Sequence, residues 1–257
     1  MGAGSTIHTC VMITRTLPPP PPISTLAAVT QLSLFLDFDG TLVEIAAGPD
    51  AIEVPGNLPS RLARLADYHE GRVALVSGRG LDNIAQHVGP LTIARAGSHG
   101  ADRVDASGNP IGTAPVPLVG QTLSALATLA EIHGALLERK QHGAALHYRA
   151  RPESGPAIDE AASAIASDFG LITKRGKCVI ELVRPGADKA GAVRSFMDLP
   201  PFAGTMPVFI GDDVTDEDGF VAAIEFGGFG IAVGERPSRN ARYTLNSVKE
   251  VYAWLNL

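Results

Sequence analysis

Four apolar runs along the chain end in the same way. Residues 32–36 give way to Asp37-Phe38-Asp39-Gly40-Thr41, and residues 73–76 to Ser77-Gly78-Arg79-Gly80. Residues 91–96 lead into Gly97-Ser98-His99-Gly100, and residues 207–210 into Gly211-Asp212-Asp213-Val214-Thr215-Asp216. Short continuous apolar runs bounded by turn residues predict strands buried on both faces, as in a parallel sheet. Helical spacing lies between them. Residues 58–66 place Leu58, Leu62 and Leu65 on one side, residues 81–88 follow the second of these turns, and residues 190–197 follow Pro185-Gly186-Ala187-Asp188-Lys189. Residues 229–233 predict a last core strand and 248–255 a closing helix. Repeated β-α alternation predicts a doubly wound, Rossmann-like α/β sheet, whose ligands bind outside the carboxyl ends of the strands.

Residues 112–185 break that alternation. Helix-like 118–133 is followed by strand-like 135–138 and 144–149, helical 156–169, and strand-like 171–174 and 178–183. An α-β-β-α-β-β run predicts a small α+β cap with an antiparallel sheet, inserted into a core made of residues 32–111 and 186–257. Residues 1–31 contain the five-proline run Pro18 to Pro22, which favours polyproline II, and are expected to form a flexible tail.

Composition narrows the function. The 257 residues suffice for two domains, and the net charge of −6 without a basic block argues against nucleic acid as partner. Cys10 and Cys178 lack metal-site spacing and imply no disulfide framework, which fits a reducing, cytoplasmic compartment. No apolar run is long enough to span a bilayer. A small-molecule substrate is expected, on a monomer or weak oligomer.

Aspartate is depleted from strand interiors, so Asp37 and Asp39 ending a strand indicate a site. Two carboxylates this close are reconciled by a cation, and oxygen-only ligands suit Mg²⁺. Asp37 can act as a nucleophile toward phosphorus, and Asp39 as general acid and then base. Ser77 and Gly78 open a helix whose N-terminus suits phosphate, although Ser77 would also serve as an ordinary N-cap. Arg79 can reach the phosphate or the rest of the substrate. His99, beside Gly100, can donate to a sugar hydroxyl. Glu138 and Glu181 can accept from sugar hydroxyls. Lys189 can offset the charge of a carboxylate nucleophile and a phosphate together. Asp212 is placed to complete a metal site with Asp37 and Asp39, Asp213 and Asp216 to orient metal-bound water or Lys189, and Thr215 to cap the next helix.

Asp37-Phe38-Asp39-Gly40-Thr41-Leu42 resembles the first motif of the haloacid dehalogenase-like phosphatases. Ser77, Lys189 and Gly211-Asp212-Asp213 follow in that superfamily's order, and the resemblance spans residues 32–257. Within it the chain resembles the bacterial trehalose-6-phosphate phosphatases. The residues that carry this are Ala96-Gly97-Ser98-His99-Gly100-Ala101, Leu146-His147-Tyr148-Arg149, Gly176-Lys177-Cys178-Val179-Ile180-Glu181 and Gly211-Asp212-Asp213-Val214-Thr215-Asp216-Glu217. The resemblance implies Mg²⁺-dependent hydrolysis of trehalose 6-phosphate through an aspartyl phosphate on Asp37. It also implies that Glu138, Lys140 and Glu181 hold the sugar. Open alternatives are the same chemistry on sucrose phosphate or mannosylglycerate phosphate, phosphotransfer to another acceptor, and a non-catalytic sugar-phosphate sensor.

Overall fold

The computed structural model describes residues 17–46, 52–112, 116–139, 142–176 and 178–257. The first part of the chain forms α1 (Ile23–Ala27), β1 (Leu32–Leu36), α2 (Leu58–Tyr68), β2 (Val73–Val76), α3 (Leu81–Val88), β3 (Ala94–Gly97) and β4 (Asp102–Val104). Then come α4 (Gly120–His133), β5 (Leu136–Arg139), β6 (Gly143–His147), α5 (Gly155–Asp168), β7 (Ile172–Gly176) and β8 (Val179–Val183). The chain closes with α6 (Lys189–Met197), β9 (Met206–Gly211), α7 (Asp216–Glu225), β10 (Phe229–Val233), β11 (Ala241–Leu245) and α8 (Val248–Leu255).

Seven strands form one sheet in the order β11-β10-β9-β1-β2-β3-β4, parallel except for β4. Side chains alternate across it. Leu34, Leu36, Leu75 and Ile210 join one apolar layer, and Phe35, Val76, Phe209 and Phe220 the opposite one. The chain moves from β1 to β2 on one side and later returns to β9 on the other. This reversal beside β1 opens the crevice in which doubly wound sheets bind ligands.

The remaining strands form a separate antiparallel sheet, β5-β6-β8-β7. It has its own core, in which Leu126, Leu146, Ile158, Ile180 and Leu182 are at most 1% exposed. The architecture is therefore a Rossmann-like core with an inserted α+β cap. Arg184 Nε donates to Val116 O at 2.7 Å, joining the two chain segments that connect cap and core.

The amino-terminal segment differs from the expected flexible tail. Pro18 O accepts from Thr244 N at 3.0 Å, Pro21 O accepts from the Trp254 indole at 2.8 Å, and Ile23 is 6% exposed in the main core. Proline lacks a donor but keeps its carbonyl, and a run already stiff loses little entropy on docking. Residues 1–16, including Cys10, lie outside the described residues. Strands β4 and β11 and helix α1 also went unanticipated. β4 is three residues long and β11 carries Arg242 and Tyr243 at a sheet edge, so neither presents an apolar run.

Candidate active site

The register of the central strands assembles the acidic loops. Leu36 pairs with Ile210, and the Asp37 N–H donates to Ile210 O at 2.9 Å, so Asp37 and Gly211-Asp212 leave the sheet side by side. Oxygens of Asp37, Asp212 and Asp216 lie within 4.8 Å of one another. Lys189, the first residue of α6, is 3% exposed and donates to Asp37 Oδ1 and Asp216 Oδ1, each at 2.6 Å. It reaches this point because Asp188 caps α6, accepting from Gly191 N at 2.7 Å.

Two glycines make room for the cluster. Gly40, at φ 73°, leaves a space that a Cβ would fill against the Asp212 carboxylate. Gly211 leaves the same kind of space against Asp216. Asp216 also accepts from Asp213 N at 2.8 Å.

Charge in this cluster is unbalanced. Burial first, and then the neighbouring carboxylate Asp216, hold the Asp37 carboxyl well above the ordinary aspartate range, against the pull of Lys189. The Asp212 carboxyl is pushed up to about 6, by burial first and then by Asp216 and Asp213. Burial works against the charge on Lys189, but Asp37 and Asp216 outweigh it, so the ammonium is held above the usual lysine value. Three carboxylates against one ammonium make a donor set of oxygens with surplus negative charge, which fits a hard divalent cation.

The other predicted residues divide. Ser77 is fully buried and accepts from Arg79 N at 3.1 Å, whereas Gly80 occupies the N-cap position of α3. Asp39 does not join the carboxylate cluster. Arg79 grips it in a fork, Nε to Oδ2 and Nη2 to Oδ1 both at 2.7 Å, and is itself steadied by Asn83 at 2.8 Å and by the Phe38 ring. Arg79 thus contacts the candidate acid directly. Asp213 points to the surface, where the Thr215 hydroxyl donates to it at 3.4 Å. Thr215 therefore does not cap α7 with its side chain. Arg236 donates to the carbonyls of Asp212 and Asp213 and to Glu217, pinning this loop.

A cavity of about 300 Å³ lies between core and cap. Its core side includes Gly78, His99 and Ala187, and its cap side Glu138, Lys174 and Glu181. The carboxylate cluster is not part of its lining. Gly78, however, adjoins Ser77 in the chain, and Ala187 stands two residues before Lys189, whose ammonium is bound to Asp37 and Asp216. His99, at φ 57°, packs against Gly78, and Gly100, at φ 98°, passes too close to Asp188 O for any side chain. Glu138 Oε2 lies 2.8 Å from His147 Nε2. Lys140 falls outside the described residues.

The trehalose-phosphatase family model matches residues 35–249. This chain belongs to that family. It is 37% identical over 226 residues to the trehalose-6-phosphate phosphatase of Escherichia coli, covering 87% of this chain and 85% of that protein. It is 37% identical over 229 residues to a probable trehalose-phosphate phosphatase of Sinorhizobium fredii, covering 86% and 84%. The fold resembles that of Aspergillus fumigatus trehalose-6-phosphate phosphatase, with a TM-score of 0.75 at 23% identity, covering 93% of this chain and 97% of that one. It also resembles a Bacteroides thetaiotaomicron phosphatase of the haloalkanoate (HAD) superfamily, with a TM-score of 0.65 at 18% identity, covering 89% and 94%.

Sequence reasoning on this family member missed four residues near the cavity. Ser98, Asp102, His142 and Lys174 were not singled out. His142 lies beyond the strand that carries Glu138, in the connection to β6, so strand-face spacing does not mark it. The pairing of Lys174 with Glu181 depends on the β7–β8 register, which no local pattern reveals.

Proposed function

We propose that this chain hydrolyses trehalose 6-phosphate to trehalose and phosphate, as a Mg²⁺-dependent enzyme of trehalose biosynthesis. The observation that carries the reading is the meeting of Asp37, Lys189 and Asp212 at the strand ends beside a cavity faced by Glu138 and Glu181 of the cap.

Asp37 attacks phosphorus in line, forming an aspartyl phosphate, while Asp39 gives its proton to the departing sugar oxygen. Ser77, Gly78 and Lys189 bind the phosphoryl oxygens, and Lys189 orients Asp37 and pulls its carboxyl toward the ionised form. Asp39 then takes a proton from water as that water attacks phosphorus, which releases phosphate and restores the Asp37 carboxylate. Both Asp39 oxygens accept from Arg79 in the resting arrangement, so the fork opens and Asp39 takes up a proton from solvent before the first transfer. Mg²⁺ would be held by Asp37, Asp212 and the Asp39 backbone carbonyl, and when bound it supplies positive charge at the phosphoryl oxygens. Both Asp216 oxygens already have donors, so Asp216 serves as the lysine's partner. Arg79, His99, Gly100, Glu138 and Glu181 face the sugar phosphate, with the cap excluding bulk water.

The test is phosphate release from a panel of sugar phosphates, with Mg²⁺ and with chelator. Metal-dependent preference for trehalose 6-phosphate, lost in Asp37→Asn with the fold intact, is expected. Glu181→Ala should lower turnover of the sugar phosphate far more than that of p-nitrophenyl phosphate. Preference for another sugar phosphate would discard the substrate, and full activity of Asp37→Asn would discard the mechanism.

A further inference from the structure

Three residues at the cleft have no part in the chemistry above. His142 follows β5, and its Nε2 lies 2.6 Å from Asp102 Oδ1 in the core. Asp102 Oδ2 accepts from the Ser98 hydroxyl at 3.1 Å. His142 is 6% exposed, and both it and Ser98 line the cavity. Ser98 immediately precedes His99, and both have left-handed backbones, with φ 51° and 57°. The chain Ser98–Asp102–His142 therefore runs from the core loop carrying His99 to the cap turn that follows Glu138.

The opposite edge of the cap sheet is held as well. β5 and β7 are its two edge strands. Lys174 of β7 donates to Asp218 of the core at 3.0 Å and stands 4.0 Å from Asp188, the residue before Lys189. The β5–β6 hairpin, through His142 one residue before β6, and the far edge strand β7, through Lys174, thus each have a polar contact to the core. An edge strand is paired on one side only, and β5 is largely exposed, so its own sheet fixes its position weakly.

We infer that His142 is a positioning residue for substrate selection. Its hydrogen bond to Asp102 sets the hairpin bearing Glu138 over the core, at the distance that lets one substrate span the sugar-facing cap and the phosphoryl site. The inference rests on the sugar-phosphate reading above. Of the two contacts, the one through His142 is the more buried, and Asp102 is held from both sides, so this tether has fewer alternative geometries than Lys174–Asp218. A small aryl phosphate needs only the core site and is insensitive to the tether.

The experiment compares wild type, His142→Ala, Asp102→Ala and the double variant on trehalose 6-phosphate and p-nitrophenyl phosphate. Each single variant should raise KM for the sugar phosphate about tenfold, equivalent to about 1.4 kcal/mol, with kcat within about twofold. The double variant should be no worse than either single one, and His142→Gln, which can still donate to Asp102, should recover most of the loss. An unchanged sugar-phosphate KM, equal losses on both substrates, or additive losses in the double variant would overturn the inference. Small-angle scattering of the unliganded proteins reads the tether without substrate. His142→Ala and Asp102→Ala should each enlarge the radius of gyration, and curves identical to wild type would overturn the inference by themselves. Failure of wild type to hydrolyse trehalose 6-phosphate would instead overturn the earlier reading, leaving the scattering result to decide the tether.

Discussion

Gly40→Ala tests whether the acid cluster depends on its spacing. Gly40 sits at φ 73°, and a Cβ there would stand 2.6 Å from Asp212 Oδ1 and nearer still to its Cγ. Ordinary contacts are about 3.5 Å, so the Asp212 carboxylate must retreat by about 1 Å. The backbone term is separate, about 1–2 kcal/mol for an L-residue in the left-handed region. Asp212 is partly exposed and can move, so the stability loss should stay near that backbone term. The functional loss should be far larger, because a displacement of about 1 Å at reacting groups costs about 10²-fold in rate. Urea unfolding followed by circular dichroism gives the first quantity, and phosphate release under saturating Mg²⁺ the second. A variant within about threefold of wild-type kcat would refute the claim that Asp212 must stand where Gly40 allows it. A loss of more than about 4 kcal/mol in stability would refute the claim that Asp212 yields easily.

Three further outcomes follow from the same structure. Asp216→Asn should cost about 1–3 kcal/mol in urea unfolding, because both Asp216 oxygens accept from donors, Lys189 and Asp213 N, and asparagine has one acceptor oxygen; Asp213→Asn, on an exposed side chain, should stay within about 0.5 kcal/mol. Ile23→Ala should cost about 2–5 kcal/mol and Trp254→Phe about 1 kcal/mol if residues 17–31 are part of the folded core, whereas two wild-type unfolding midpoints would return that segment to a tail. The His69 imidazole is held below its ordinary value of 6.5, by burial first and then by Arg72, so below that pH the unfolded chain takes up a proton that the folded one resists. Stability should therefore fall as pH drops below about 6.5, and His69→Phe should flatten that slope in unfolding midpoints measured on either side of it.

The legible parts of the chain were those where burial and chemistry coincide. β1, β2 and β10 are buried along their whole length and β9 from Pro207 onward, so each reads as a mainly apolar run, and the loops that follow three of them carry Asp37, Ser77 and Asp212. β7 is half-exposed and polar and was recognisable only from its neighbours, while β4 and β11 carried no apolar pattern at all. The proline run misled because stiffness without periodicity resembles a spacer; its docking depends on acceptor carbonyls meeting Thr244 and Trp254 from the far end of the chain. Side-chain partners were the least legible. Arg79–Asp39 and Asp102–His142 each join residues 40 positions apart, and nothing local says which strand ends will be neighbours.

Those partners show how the two sheets divide the work. Pairing of Leu36 with Ile210 and of Leu36 with Leu75 brings the Asp37, Asp212 and Ser77 loops to one end of one rigid sheet. The geometry of these three loops is therefore set by ladder hydrogen bonds and by packing on both faces, independent of the cap. Glu138 and Glu181, proposed above to hold the sugar, stand on a different sheet with a different hydrophobic core. Among the described residues their distance from the Asp37 loop is set by connecting segments and by cleft contacts such as Asp102–His142. Substitutions in the core sheet should act on kcat for every phosphate ester, and substitutions at the cleft contacts on KM for the large ones. A mutant series that mixed the two effects at random would show that core and cap do not act as separate units.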